Sequence, residues 1–414
     1  MHSSKSNQIL ITFFFFLFFL IWQESCSSVP TSEKPFPEFH IKGSNPYWIG
    51  KQVGQYGRDM IREFVSEYKP LKDKLIPWYN ENKDLYNKFL VANTDYFPNY
   101  VSELVGLSEA TDIPFYQIFL LTMESEISLI IRGETNGHDH GIADNNSLGF
   151  VGSKACSDVH VNSDEFIGFG HNEDGDLLVK NTSFIIYVDQ TFKNTGGEET
   201  TLKYFAYVYP SYIWGLAFGC NNHRMCYSGN AIFPKKVQVG ALKLFLYRSM
   251  LDITSIDNAI EVLQSAKPAS GLSINLGDLD QKETVNIEVS TEGINVKKIQ
   301  PNEHYFHFNM FRRVDVAQYD DTSSIERLKR ADEMTPPTTM KQIAQILGDH
   351  TNADYPIYRN GNPPDTDIET LTTVLMDLNN EKCSMYSGNP YTDFDNPWKV
   401  IDLNTIFDES PKNE

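Results

Sequence analysis

The chain has 414 residues, of which 41% are hydrophobic and 13% aromatic, enough for one large core or two domains of ordinary size. The formal net charge of −20 argues against nucleic acid and anionic membrane surfaces as partners. Beyond the N-terminus, no stretch of the sequence is long and apolar enough to predict a membrane span.

The N-terminus has the features of a secretory signal. Lys5 lies in a short polar head, an apolar run covers residues 9–22, and small residues follow at 25–28. We predict a signal peptide over residues 1–28 and a secreted or lumenal protein, with a signal anchor as the alternative. Export makes the sequons at Asn145 and Asn181 candidate glycosylation sites.

The first third of the exported chain is predicted to be mostly helical. Residues 29–46 are rich in Pro and Ser and suggest an extended lead-in. Apolar residues then recur at helical spacing between Trp48 and Asn93. Two more helices are expected over Tyr100–Leu107 and over 115–123, where Pro114 precedes the first turn.

Between Arg132 and Gly152 the apolar periodicity stops, and glycines punctuate a polar stretch. The run His138-Asp139-His140 resembles a set of metal ligands, but no second cluster stands at ligand spacing. We therefore expect no metal and no cofactor. The segment is interpreted as an exposed linker that tolerates a break in the chain.

A predicted β-hairpin follows this linker. Its strands cover Cys156–Val161 and 166–174, and Asn162-Ser163-Asp164 has the composition of a turn. The hairpin carries a cysteine at its head, and Asp174 closes its second strand. This arrangement makes Cys156 the first candidate for a functional residue.

The remainder of the chain alternates β-branched and aromatic runs with helical segments. The predicted strands are 184–188, 204–209, 213–218, 225–231, 285–289, 296–299 and 371–378. The predicted helices are 241–251, 256–265, 323–333 and 340–347. This order favours an α+β layered protein over a parallel βαβ array. Cys220 and Cys226 bracket a turn, where they form either a disulfide or a pair of buried thiols.

Three interpretations of Cys156 are open. A lone cysteine is most often a small buried hydrophobic residue. A papain-like enzyme would need a partner histidine, for which residues 160, 171, 304 and 307 are available, but its local signature is missing. A nucleophile at a new N-terminus needs no histidine, because its own α-amino group serves as the base. We favour the last, with self-cleavage between Ala155 and Cys156.

Several segments resemble the penicillin acyltransferase family of N-terminal-nucleophile cysteine hydrolases. They are 156–158, 170–174, 219–230 and, upstream, 100–104 with 113–115. The C-terminal half is most similar to the β-alanyl-dopamine/carcinine hydrolase branch, through 307–311, 323–330, 346–349, 355–359, 370–378 and 388–390. The sequence departs from the family at Ala155, where glycine is common, and at Met310, where a second histidine often stands.

The resemblance implies an αββα sandwich of four layers and a role for each of three residues. Cys156 would be the self-processing nucleophile, Asp174 would orient it, and Asn230 would help to form the oxyanion hole. Residues 29–155 would become an α chain and 156–414 the catalytic β chain, and the two chains would stay associated. The implied substrate is a small N-acyl amine, such as an N-β-alanyl biogenic amine. The alternatives are acyl transfer to an amine or small peptide, and a non-catalytic binding glycoprotein.

Overall fold

The computed structural model describes residues 35–135, 156–193, 197–361 and 368–407. Within these ranges the N-terminal part is mostly helical, as predicted. Its helices are α1 (Pro46–Tyr56), α2 (Arg58–Glu67), α3 (Ile76–Glu81), α4 (Lys83–Tyr96), α5 (Pro98–Thr111), α6 (Phe115–Thr122) and α7 (Glu124–Thr135), with a π-helical turn at Leu71–Leu75. The later helices are α8 (Leu177–Thr182), α9 (Lys243–Ser249), α10 (Ile256–Ser265), α11 (Thr322–Glu333) and α12 (Met340–Leu347). None of the described helices is long and apolar enough to cross a membrane.

The strands alternate with these helices along the chain. The first seven are β1 (Glu38–Gly43), β2 (Cys156–Asn162), β3 (Ile167–Gly175), β4 (Phe184–Lys193), β5 (Glu199–Val208), β6 (Phe218–Asn221) and β7 (Met225–Ala231). The others are β8 (Leu272–Asp278), β9 (Glu283–Val289), β10 (Ile294–Lys298), β11 (Glu303–His307), β12 (Glu369–Asp377), β13 (Lys382–Tyr386) and β14 (Lys399–Asp402).

These strands form two sheets. Eight strands pair in the order β1-β4-β5-β6-β7-β8-β9-β10, and six pair in the order β11-β2-β3-β12-β13-β14. The sheets face each other where β2 lies against β7 and β3 against β9. Helix α1 contacts β1 and β4, and α12 packs on β2, β3 and β12. The predicted α+β fold with four αββα layers is confirmed.

The segment before the linker belongs to the same compact unit as the rest, since the described residues from Phe36 onward cluster together. Strand β1 pairs in parallel with β4, so the N-terminal part supplies the edge of the larger sheet. One hydrophobic core joins its helices to both sheets, through residues such as Phe119, Phe205 and Val374. A second core, which includes Val159 and Leu347, lies beneath α12.

Most predicted elements are present, with instructive differences. Strand β1 lies within the segment that was predicted to be an extended lead-in. The sequence did not predict it as a strand, because its pairing with β4 cannot be inferred from composition. The predicted strand over 213–218 was wrong except at Phe218. Gly215 adopts a φ of +90° there, which interrupts an extended strand. Cys220 and Cys226 lie opposite each other on β6 and β7 and are joined by a disulfide.

Candidate active site

The register of the β2–β3 hairpin determines which side chains share a face with the candidate nucleophile. Cys156 pairs with Glu173, and Asp158 pairs with His171. Because side chains alternate along a strand, these four point to the same face, towards the larger sheet. All four are at least 95% buried. The hairpin therefore concentrates a thiol, an imidazole and two carboxyl groups between the sheets.

The backbone of Cys156 is held on both sides of its Cα atom. Its N–H donates to Oδ1 of Asn309, 2.9 Å away. Its carbonyl accepts from Nη1 of Arg327 at 2.7 Å, and Nη2 of the same guanidinium reaches Asn309 Oδ1 at 2.9 Å. Arg327 lies on α11, whose first turn is capped by Asp321 through the Ser324 N–H. Two distant segments thus fix the position of the candidate nucleophile.

The thiol of Cys156 lies 3.8 Å from Oε2 of Glu173. Oε1 of Glu173 accepts from the Tyr209 hydroxyl, so Oε2 is the oxygen directed at the thiol. Burial raises the thiol pKa well above its ordinary value, and the negative charges of Glu173, Asp174 and Asp158 raise it further. The thiol is therefore protonated at neutral pH, and attack on a carbonyl requires a base.

His171 lies between two carboxylates. Its Nδ1 is 2.9 Å from Oδ2 of Asp158, and its Nε2 is 2.8 Å from Oε2 of Glu173. Burial opposes a charge on the ring, but the two carboxylates outweigh it and raise the pKa of His171 to about 10. Asp158 has its pKa lowered against the effect of burial by the charge and hydrogen bond of His171. The imidazolium thus holds Glu173 beside the thiol.

Asn230 lies on β7, opposite the hairpin across the space between the sheets. Its Nδ2 donates to Oδ2 of Asp158 at 2.6 Å, and its Oδ1 accepts from Asn275 at 3.0 Å. Ser228 donates to the other Asp158 oxygen at 2.5 Å. The structure therefore brings Asn230 to the site through Asp158, and Asn309 is the amide side chain that reaches the Cys156 backbone. The oxyanion role of Asn230 stays a prediction.

Asp174 lies one residue beyond Glu173 and so projects from the opposite face of the hairpin. Its Oδ1 accepts from the Thr370 hydroxyl at 2.8 Å, and its Oδ2 is 3.2 Å from Nε of Arg359. Burial raises the pKa of Asp174 to about 7 against the opposing charges of Arg359 and Arg327. Among the described residues, Asp174 acts on Cys156 through charge and makes no hydrogen bond to it.

A buried lysine completes the electrostatics of the site. Lys243 begins α9, is 1% exposed, and donates to Ser125 Oγ at 3.3 Å and to the Ile232 carbonyl at 3.4 Å. Burial lowers its pKa to about 8, while the charges of Glu126 and Cys156 raise it. Ser125 and Glu126 lie on α7, so the N-terminal part of the chain contributes to the surroundings of Cys156.

The remaining predicted positions fall at the edge of the site or beyond it. Ala155, Asn145 and the run 138–140 lie outside the described residues. Asn181 lies in α8 and is exposed. Sequence reasoning missed Glu173, Asn309, Arg327 and Arg359 as site residues. The signal that could have found Glu173 was the hairpin register, while the other three belonged to segments already noted for their family resemblance.

Three comparisons relate the chain to known proteins. Residues 161–392 match the family model of acyl-coenzyme A:6-aminopenicillanic acid acyl-transferase, a range that begins after Cys156 and Asp158 and includes His171, Glu173, Asp174, Asn230, Asn309 and Arg327. The β-alanyl-dopamine/carcinine hydrolase of Drosophila melanogaster is 26% identical over 373 residues, covering 86% of this chain and 93% of that protein. The solved structure of a mutant conjugated bile acid hydrolase from Clostridium perfringens has a TM-score of 0.38 at 12% identity, covering 61% of this chain and 93% of that one.

Proposed function

Because the chain belongs to the acyl-coenzyme A:6-aminopenicillanic acid acyl-transferase family, we propose that it is a self-processing cysteine amidohydrolase. The similarity to a named hydrolase over 86% of the chain supports amide hydrolysis. The observation that carries the proposal is the pair of hydrogen bonds to the backbone of Cys156, whose N–H donates to Asn309 and whose carbonyl accepts from Arg327. Buried backbone groups need partners in any case, and here those partners are buried side chains from distant segments that fix one position for the residue, as a preorganised nucleophile requires.

In the proposed maturation, the Cys156 sulfur attacks the carbonyl carbon of Ala155. The amide C–N bond breaks as the C–S bond forms, the thiol proton moves to the nitrogen of Cys156, and a thioester results. Water then cleaves the thioester and releases residues 29–155 as an α chain and 156–414 as the catalytic β chain. The N–H bound by Asn309 becomes the α-amino group of the β chain.

That α-amino group serves as the base in the turnover of substrate. Its ordinary pKa is about 7.7–8.0, so a useful fraction is neutral near physiological pH and can accept the thiol proton. Asn309 Oδ1 orients the amine, and Glu173 holds the thiol side. The substrate amide forms an acyl thioester, its amine leaves, and water completes the hydrolysis. Asn230 remains our proposed oxyanion donor, which requires its amide to turn from Asp158.

The proposed substrates are N-β-alanyl biogenic amines, or another small N-acyl amine. This assignment rests on the similarity to the hydrolase of β-alanyl-dopamine and carcinine. The charge of −20 is compatible with a cationic substrate. The same family is named for an acyl-transferase, so transfer of the acyl group to an amine is the competing outcome of the assay.

We also propose that residues 1–28 direct the chain into the secretory pathway and that the two mature chains stay associated. The parallel pairing of β1 with β4 and the common hydrophobic core support the association. Separating the chains would expose the edge of the larger sheet and the apolar face beneath the helices.

The test uses purified full-length chain with β-alanyl-dopamine, carcinine and their N-acetyl analogues. We expect release of free amine by the wild-type protein and neither cleavage nor turnover by Cys156→Ala. Cys383→Ala is the matched control, because Cys383 is another buried free cysteine, on β13. Amide hydrolysis by Cys156→Ala at the wild-type rate would refute the proposal. Product formed faster with an added amine acceptor than with water would favour acyl transfer.

A further inference from the structure

The buried cluster around Cys156 has the composition of a metal-binding site. One ligand atom each from Cys156, His171 and Glu173 lie within 4.8 Å of one another, and all three residues are buried. Thiolate, imidazole and carboxylate are the three protein ligands that Zn²⁺ prefers. Exposed acidic groups are common without a metal ion, whereas this cluster is buried and includes an imidazole and the thiol of the proposed nucleophile.

The distances suit a small tetrahedral ion. Glu173 Oε2 lies 3.8 Å from Cys156 Sγ and 2.8 Å from His171 Nε2. Zinc bonds of about 2.0–2.3 Å place neighbouring ligand atoms roughly 3.3–3.6 Å apart. The sulfur and the imidazole nitrogen lie within 4.8 Å of each other, so shifts of about 1 Å in these side chains would bring all three ligand atoms to bonding distance from one ion.

The residues behind the ligands provide independent support. Metal-bound histidines usually donate their second ring nitrogen to a carboxylate, which fixes the ring and the tautomer. Here Nδ1 of His171 is 2.9 Å from Oδ2 of Asp158, so Nε2 is presented to the cluster. Tyr209 likewise holds Oε1 of Glu173 and leaves Oε2 for the ion. The outer contacts of a zinc site are already formed.

The charges also balance. The two positive charges of zinc take the place of the two protons that its binding displaces, so the net charge of the buried cluster, with the Asp158 carboxylate included, does not change. Binding releases the thiol proton of Cys156 and the Nε2 proton of His171 to solvent. The sulfur electron pair that would attack a carbonyl is then shared with the metal, with no change of oxidation state.

We propose that Cys156, His171 and Glu173 form a reversible inhibitory site for Zn²⁺ or a similar borderline-soft dication. The bound ion blocks the sulfur and so arrests both maturation and turnover. The inhibitory consequence rests on the proposed function, whereas the binding of the ion does not. A chain that bound zinc and hydrolysed nothing would leave this site intact and refute only the enzymatic proposal.

The experiment uses full-length protein and needs no substrate. Co²⁺ is added in chelator-free buffer, and the absorption spectrum is followed for a thiolate-to-cobalt charge-transfer band, which Zn²⁺ should then abolish by displacement. Calorimetric titration with Zn²⁺ should give one site per chain. Cys156→Ser should remove the band, and His171→Gln should weaken binding about tenfold or more. Cys383→Ser should behave as wild type, since its buried thiol lies outside the cluster.

Two results would overturn the proposal. One is a wild-type protein that binds no Co²⁺ or Zn²⁺, or binds Co²⁺ without the thiolate band. The other is a Cys156→Ser variant that binds Zn²⁺ with wild-type affinity. The first result requires no variant, so the proposal can be refuted even if a substituted protein fails to fold.

Discussion

Replacement of Asn309 by leucine tests whether this side chain positions the proposed nucleophile, Cys156. The side chain accepts from the Cys156 N–H and from Arg327, each at 2.9 Å, and donates to the Ala231 carbonyl at 2.9 Å. Leucine has a similar size but leaves two buried donors and one part-buried acceptor without these partners. At about 1–3 kcal/mol for each unsatisfied group, and with partial relaxation, we expect unfolding to require about 2–5 kcal/mol less.

The effect on maturation should be separable from the effect on stability. Loss of the Asn309 contact frees the nitrogen of the scissile bond, and a misplacement of about 1 Å typically slows a reaction about a hundredfold. We expect self-cleavage to slow by about ten- to a hundredfold while the chain still folds. The rate is measured from the fraction of cut chain on denaturing gels over time, and stability from urea unfolding.

A matched control is available in Asn221, which is also fully buried. Its amide donates to the carbonyls of Leu251 and Ile253 at 3.1 and 2.8 Å, and its Oδ1 accepts from the backbone near the β6–β7 turn. Asn221→Leu should lose comparable stability and keep the wild-type cleavage rate. Equal cleavage rates in Asn309→Leu and Asn221→Leu would show that Asn309 does not position the nucleophile.

Three further predictions follow from the same contacts. Arg327→Met should destabilise the chain by about 3–5 kcal/mol and abolish cleavage, because its guanidinium binds the Cys156 carbonyl. The control Arg248→Met removes an equally buried arginine and breaks its ion pair with Glu103, so it should destabilise the chain by a similar amount and still allow cleavage. Urea unfolding measures the stability of each variant, and denaturing gels measure its cleavage. The raised pKa of His171 contributes stability that is complete below the unfolded pKa of about 6.5 and is lost as pH rises through about 10. The free energy of unfolding in urea should therefore fall over that pH range, and Asp158→Asn should make the fall less steep. An unchanged pH dependence in Asp158→Asn would contradict the ion pair between Asp158 and His171. The cut chains should co-elute as one species in gel filtration and separate only after denaturation; separation under native conditions would show that the common core is too weak to retain the α chain.

Much of the fold could be predicted from local sequence patterns. The hairpin was predicted because Val159 and Val161 alternate with polar residues and an Asn-Ser-Asp turn follows. Helices α10 and α12 were predicted with the bounds that the structure shows, since each has apolar residues at helical spacing. Strand β1 was missed because its identity depends on β4, which lies far along the chain.

The composition of the site was harder to predict than its location. The family resemblance predicts that Asp174 orients the candidate nucleophile, and the register in addition places Glu173 opposite Cys156. A shift of one residue moves a side chain to the other face of a strand, and the register of a hairpin depends on the geometry of its turn, which the Asn-Ser-Asp composition alone does not specify. Asn309 and Arg327 reach Cys156 across 153 and 171 residues of sequence, so only the folded chain brings them together.

The proposed cut before Cys156 is measured by intact mass combined with N-terminal sequencing of the purified protein. Self-cleavage predicts two chains, the larger of which begins Cys-Ser-Asp, and a single uncut chain for Cys156→Ala. A single unbroken wild-type chain that still hydrolyses amides would contradict it.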